Sequence, residues 1–320
     1  MTARRRAVRS RTRALTLALA CAAGFVLGAC AGGSAESTAT PAPLFGAGYP
    51  VFRDEVAGIR TVFGTPDLGV GANRVAFVMS TDEGLVSAPT VRAESYFYAD
   101  GPDGPRTGPV AGTVATFQPF PLVERGLYAT TLDFDRAGTW GLDVHARRSD
   151  GADVVTTFTF AVEERPRSVA VGEAAPASRN RTLADVTSVA MLTTGSAPAL
   201  ALYDTRIVDA LAERVPLVVV FASPAFCTNE LCGPQVEVVG ELAAEYGDRA
   251  RFVHIDIYEN PDEIRGDLSR AVRTPILEEW GITTDEWTFV IDREGRVAAR
   301  FESFASKAEL ARALDEVLGR

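Results

Sequence analysis

Cys227 and Cys232 are the residues whose type and spacing point most directly to chemistry. Four residues, Thr228-Asn229-Glu230-Leu231, stand between them, and Gly233-Pro234 follows at once. Two cysteines this close can form a disulfide, cycle between dithiol and disulfide, or bind a soft metal as thiolates. The thiolate is the reactive form, and the free amides and dipole of a helix N-terminus stabilise it. In a regular helix, residues five positions apart are separated by roughly 7.5 Å of rise, beyond the ~7 Å Cα separation that a disulfide tolerates. An oxidised pair therefore needs an irregular turn. Gly233-Pro234 predicts that the helix of the oxidised form starts near Pro234, with reduction letting it extend back to Thr228.

The rest of the chain bears on whether that pair oxidises. Residues 1–13 hold six arginines and no acid, and residues 14–29 are apolar, the order of charged and hydrophobic regions in an export signal. The apolar run is shorter than the ~20 residues that cross a bilayer as a helix. It ends at Leu27-Gly28-Ala29-Cys30, which resembles a lipobox, and the resemblance implies cleavage before Cys30 and a lipid on its thiol. The expectation is an extracytoplasmic protein anchored to the outer face of the cytoplasmic membrane. Cys21 would leave with the signal and Cys30 would carry lipid, so Cys227 and Cys232 remain as a closed pair, in a compartment where they oxidise or cycle. From Cys30 onward there are 26 basic and 42 acidic residues, a net charge of −16, which disfavours nucleic acid as a partner.

The elements that must position the cysteines divide into two kinds. Residues 30–48 are small, polar and proline-bearing and read as the lipidated cysteine and its tether. Across 49–165, runs at 74–80, 91–98, 127–134, 139–146 and 154–162 alternate apolar and polar residues between Gly, Pro and Asp turns. That pattern predicts an all-β, immunoglobulin-like sandwich. Across 166–320 strands alternate with helices: an uninterrupted apolar run at 217–221, helical spacing over 236–246, strands at 251–257, 287–291 and 296–301, and a helix over 307–318 capped by Ser306.

The segment from Phe221 through Cys227 and Cys232 to Pro234 resembles the thioredoxin superfamily, which implies an α/β thioredoxin-like fold with Cys227 and Cys232 at its redox position. The spacing is also that of the bacterioferritin-comigratory type of peroxiredoxin, but the threonine and proline that this family carries before its peroxidatic cysteine are replaced by Pro224 and Val220. Before the strand at 287–291, thioredoxins carry a cis-proline facing the disulfide and peroxiredoxins an arginine; here Glu286 precedes Trp287. A cis bond at a non-proline residue costs about 3 kcal/mol, so Asp285-Glu286 is expected to be trans. A carboxylate near the sulfurs would raise their pKa, which makes Glu286, with Trp287 and Pro224, a modulator of the pair.

Thiol–disulfide exchange with a protein substrate and a structural disulfide in a non-enzymatic binding module both fit these residues. A copper chaperone of the Sco type would add a histidine, and only His254 is placed for it; alternation turns His254 away from the side of Val253 and Ile255. The acids Asp256, Glu259, Asp262 and Glu263 fit no calcium loop and read as a solvated helix start. Trp280 and Trp287 are expected to pack in the core. No phosphate loop, zinc-protease motif or nucleophile elbow occurs, and no cofactor is implied.

Overall fold

The computed structural model describes residues 48–319, apart from 83, 87, 122–124, 149 and 227–231; the expected signal, Cys30 and the expected tether as far as residue 47 lie outside the described residues. Every described residue belongs to one compact unit.

Alternation builds the first sheet. Its strands are β1 (Val51–Asp54), β2 (Ile59–Phe63), β3 (Gly71–Thr81), β4 (Gly84–Leu85), β5 (Thr90–Tyr98), β6 (Arg106–Pro119), β7 (Gly126–Phe134), β8 (Gly138–Arg147) and β9 (Asp153–Val162). In β9, Thr156, Phe158, Phe160 and Val162 turn inward while their neighbours face out. The strands run in the order β1-β2-β3-β7-β6-β5-β8-β9, with β4 on β3, and every pair is antiparallel. The last strand comes round to the first, where Phe52 stacks on Phe158 at 5.4 Å.

This nearly closed, barrel-like sheet corrects the immunoglobulin-like sandwich. The reason is β6, whose alternation is interrupted in the sequence by Gly108-Pro109 and Gly112. Its first part pairs with β5 and its last residues with β7, from Thr116↔Ala129 to Pro119↔Gly126. Without it, β1-β2-β3-β7 and β5-β8-β9 would be two sheets; with it they are one. Phe63, Phe77, Phe134, Trp140 and Phe158 fill the interior, each contributing on the order of 2–3 kcal/mol by burial.

The second sheet follows through α1 (Ile207–Glu213), β10 (Leu217–Phe221), α2 (Cys232–Tyr246), β11 (Arg251–Ile255), α3 (Pro261–Ile264), α4 (Ile276–Glu279), β12 (Trp287–Ile291), β13 (Val297–Glu302) and α5 (Lys307–Leu318). Its order is β11-β10-β12-β13, with β10 parallel to β11 and antiparallel to β12. With α2 and α5 against one face and α1 against the other, this is a thioredoxin-like unit. The apolar run of β10 is buried on both faces. Val218 and Val220 meet Val239 and Leu242 of α2 and Leu310 of α5, while Val219 and Phe221 meet Ile207 and Trp280.

The barrel wall belongs to the same core. Ala76, Phe120, Leu127 and Ala129 join the α2 and α5 cluster, and Phe120 meets Phe304 edge-on at 5.0 Å. Two arginines complete the junction. Arg74 on β3 reaches Glu309 of α5, and Arg300 on β13 reaches Asp67.

The Ser306 hydroxyl accepts the Glu309 amide N–H at 3.3 Å, and the Glu309 carboxylate accepts the Ser306 N–H at 3.0 Å. Replacing Ser306 with alanine is expected to cost about 1 kcal/mol in denaturant unfolding; an unchanged midpoint would count against the cap. Helix α2 holds Pro234 at its third position, where an absent N–H leaves no bond unmade.

Candidate functional site

Strand β10 delivers the chain into residues 222–226, and the helix after them opens on Cys232. The antiparallel pairing Phe221↔Trp287 brings the residues before β12 to the same end of the sheet. Cys232 is disulfide-bonded and wholly buried, with Sγ 3.7 Å from the Asp285 carbonyl oxygen. It is the only cysteine among the described residues; Cys227 lies outside them, as does Cys30. Pro224 sits half-buried in the turn, its ring beside Gly195 and its carbonyl toward Gly233.

The structure thus brings Cys232 together with the Asp285-Glu286 segment. Among the described residues the only cis peptide is Gly108-Pro109, so Asp285-Glu286 is trans. Glu286 is buried and its carbonyl accepts the Ser303 N–H at 3.0 Å. Its charge, with those of Glu302 and Asp285, adds to burial in pushing the Tyr49 phenol well above its ordinary range. Burial also pushes Glu302 up to about 8, against the stabilising Asp67 N–H and Thr284 hydroxyl. Trp287 packs inward: its indole N–H donates to Thr284 at 2.8 Å, Phe289 stacks on it, and Arg300 covers its ring at 5.1 Å. Trp280 is likewise in the core, donating to Ser178 at 3.0 Å.

His254 offers no ring nitrogen to a metal. Since the Ala222 carbonyl can only accept, Nε2–H donates to it at 3.0 Å, and Nδ1 accepts the Tyr203 hydroxyl at 2.7 Å. Burial lowers its pKa to about 4, which keeps the ring neutral. Among the described residues no group of three or more His, Cys, Asp or Glu side chains is placed to hold a metal ion.

Asp256 overturns the reading of a solvated acid. Two residues beyond His254 and just past the end of β11, it is 3% exposed. Its Oδ2 accepts the N–H of Thr194 at 2.7 Å and the Thr194 hydroxyl at 2.9 Å, and its Oδ1 accepts the Tyr258 N–H at 3.1 Å. The Thr194 oxygen in turn accepts the Ala225 N–H at 3.1 Å and lies 2.9 Å from Ser223 Oγ. The period-two placement of Asp256 with His254 was the one signal of this burial in the sequence. Tyr258 is local, but Thr194 lies 62 positions away and Ser223, which joins Thr194, 33, beyond any local pattern.

No family model matches the chain, and no curated protein does. Solved structures similar to part of it include a thiol:disulfide interchange protein of the thioredoxin family from Chlorobium tepidum TLS. That chain is 21% identical, with 35% of this chain and 84% of that one covered at a TM-score of 0.28. Another is the exposed lipoprotein thioredoxin of Streptococcus pneumoniae strain TIGR4, 18% identical, with 33% and 89% covered at a TM-score of 0.26.

Proposed function

We propose that this protein is a membrane-anchored, extracytoplasmic thioredoxin-like protein that performs thiol–disulfide exchange through Cys227 and Cys232. The observation that supports it best is the bonded Cys232 at the first residue of the 15-residue α2, its sulfur beside the carbonyl that leads into β12. A thiolate there gains from the helix dipole. In the reduced protein, the Cys227 thiolate attacks one sulfur of a partner disulfide, forming a mixed disulfide and releasing one partner thiolate. The Cys232 thiolate then attacks the Cys227 sulfur and releases the second. The partner gains two electrons and the pair becomes the disulfide; the reverse sequence oxidises a partner dithiol. A lipid on Cys30 would hold the unit at the outer face of the cytoplasmic membrane, and the partner would be a protein thiol or disulfide.

Redox titration of the full chain against glutathione tests this. The expected potential lies above about −300 mV, and an unreactive pair below that value would leave only a structural bridge. Cys232→Ser should accumulate a reducible mixed complex on Cys227 with a disulfide-bearing protein, and the double Cys227→Ser/Cys232→Ser variant none.

A second reading, a non-enzymatic binding or assembly module whose disulfide pins a loop, is favoured by the complete burial of Cys232 and of Glu286 nearby. A copper chaperone finds no ligand in His254, whose two nitrogens are engaged.

A further inference from the structure

We propose that Asp256 is the positioning residue of the redox turn, holding Ser223-Pro224-Ala225-Phe226, the four residues that precede Cys227 in the sequence, through the hydroxyl of Thr194. The inference rests on the thiol–disulfide reading of Cys227 and Cys232.

Three separate stretches of chain meet at this carboxylate. Asp256 follows β11 by one residue, Thr194 belongs to the segment before α1, and residues 223–226 lead from β10 to the cysteine. Thr194 has one hydroxyl proton, and the 2.9 Å contact gives it to Asp256 Oδ2. Its oxygen is then left to accept the Ala225 N–H at 3.1 Å and the Ser223 hydroxyl at 2.9 Å, while the Phe226 N–H closes the turn on the Ser223 carbonyl at 3.2 Å. Every donor in this chain points toward the carboxylate, so the arrangement is matched to its ionised form. Protonation takes an acceptor position away from Thr194, and the order of donors that fixes Ser223 and Ala225 has to change.

Burial pushes Asp256 up to about 6, against the hydrogen bonds from Thr194 and Tyr258 that favour its charge. The turn would therefore tighten as pH rises through that value. The titratable groups around it do not share the transition. His254, on β11, stays neutral above about 4, and the Tyr203 phenol is held up to about 12 by burial. Tyr258, whose ring meets Phe226 at 6.2 Å, is raised further still by burial and by Asp285 and Asp256. Across the cavity of about 190 Å³ that reaches Asp256 stand Arg179, Arg181, Glu259 and Glu279. Arg181 donates to the Met191 and Glu259 carbonyls, away from the carboxylate.

The test is the rate of exchange between the full chain and glutathione, followed from about pH 4.5 to about 8. Wild type is expected to show a transition near 6. Asp256→Asn should remove that transition and slow exchange above it roughly tenfold. Thr194→Val should do the same, Thr194→Ser should behave as wild type, and the Asp256→Asn/Thr194→Val double variant should lose no more than either single. Variants that keep the wild-type profile overturn the proposal, and so does a uniform loss with the transition in place, the mark of a merely structural residue. If Asp256→Asn does not fold, the Thr194→Val and Thr194→Ser pair decides on the same criteria. A wild-type pair that does not exchange at all overturns the thiol–disulfide reading and this inference together; an active wild type with unaltered variants overturns only this one.

Discussion

Replacing Arg74 with methionine is expected to destabilise the folded unit by roughly 3–5 kcal/mol, the cost of stranding a buried charge. Arg74 leaves the barrel on β3 and forks onto α5, with Nε 2.7 Å from Glu309 Oε1 and Nη2 3.2 Å from Oε2. The same guanidinium donates to the Glu302 carbonyl at 3.1 Å and the Phe304 carbonyl at 2.7 Å. Both side chains are only 11% exposed, so little water can replace what is lost. Burial alone would raise the Glu309 pKa, but the charge and hydrogen bonds of Arg74, with those of Ser306, hold it below its ordinary value. Methionine keeps the apolar stem and removes the charge, leaving Glu309 to be buried alone or protonated. Arg74→Met/Glu309→Gln should therefore be more stable than Arg74→Met, since the amide oxygen can still accept the Ser306 N–H. A double-mutant cycle in denaturant measures this, and a single-variant loss under about 1 kcal/mol would show that the junction rests on its apolar contacts instead.

Between pH 6.5 and 8 the protein should lose stability on the order of 2 kcal/mol, and Glu302→Gln should abolish most of that loss. Burial raises Glu302 to about 8 from an ordinary 4.5, so over this range the folded state holds a proton that the unfolded state has released. The unfolded state then binds fewer protons, and stability falls as pH rises, by up to about 1.4 kcal/mol per unit. The contribution is complete below the unfolded value and gone above the folded one. At lower pH the slope is masked, because His254 works in the opposite sense: its folded value near 4 makes its contribution complete above its unfolded 6.5 and progressively lost as pH falls. Glutamine can offer its carbonyl to the Asp67 N–H and its amide to Thr284 Oγ1, preserving the contacts that Glu302 makes at 3.0 and 2.7 Å. Unfolding midpoints at the two pH values decide the matter. Equal slopes in wild type and variant would mean that another group carries the linkage.

Much of the fold was legible because its signals are local. The unbroken Leu217–Phe221 run marks a strand covered on both faces whatever covers it, and Ser306 with Glu309 three residues on defines a helix start by itself. The closure of the first sheet was not legible. Alternation reports that one face of each strand is buried; it does not say whether the far wall is a second sheet or the same one, and the glycines of β6 hid the strand that joins them.

By itself the sequence determined the chemistry available: two cysteines at C-x4-C spacing after a buried strand, with Asp285-Glu286 ahead of the strand that pairs beside it. Only the tertiary structure decided the surroundings of that chemistry. It brought the Asp285 carbonyl to Cys232, closed His254 between Tyr203 and Ala222, enclosed Glu302, and buried Asp256, which reads in the sequence as a solvated acid. The physical reason is that a carboxylate's cost and use depend on depth and on donors from distant segments. Glu309 meets Arg74 from 235 positions away and Glu302 meets Asp67 from the same separation, and no local pattern encodes such a meeting.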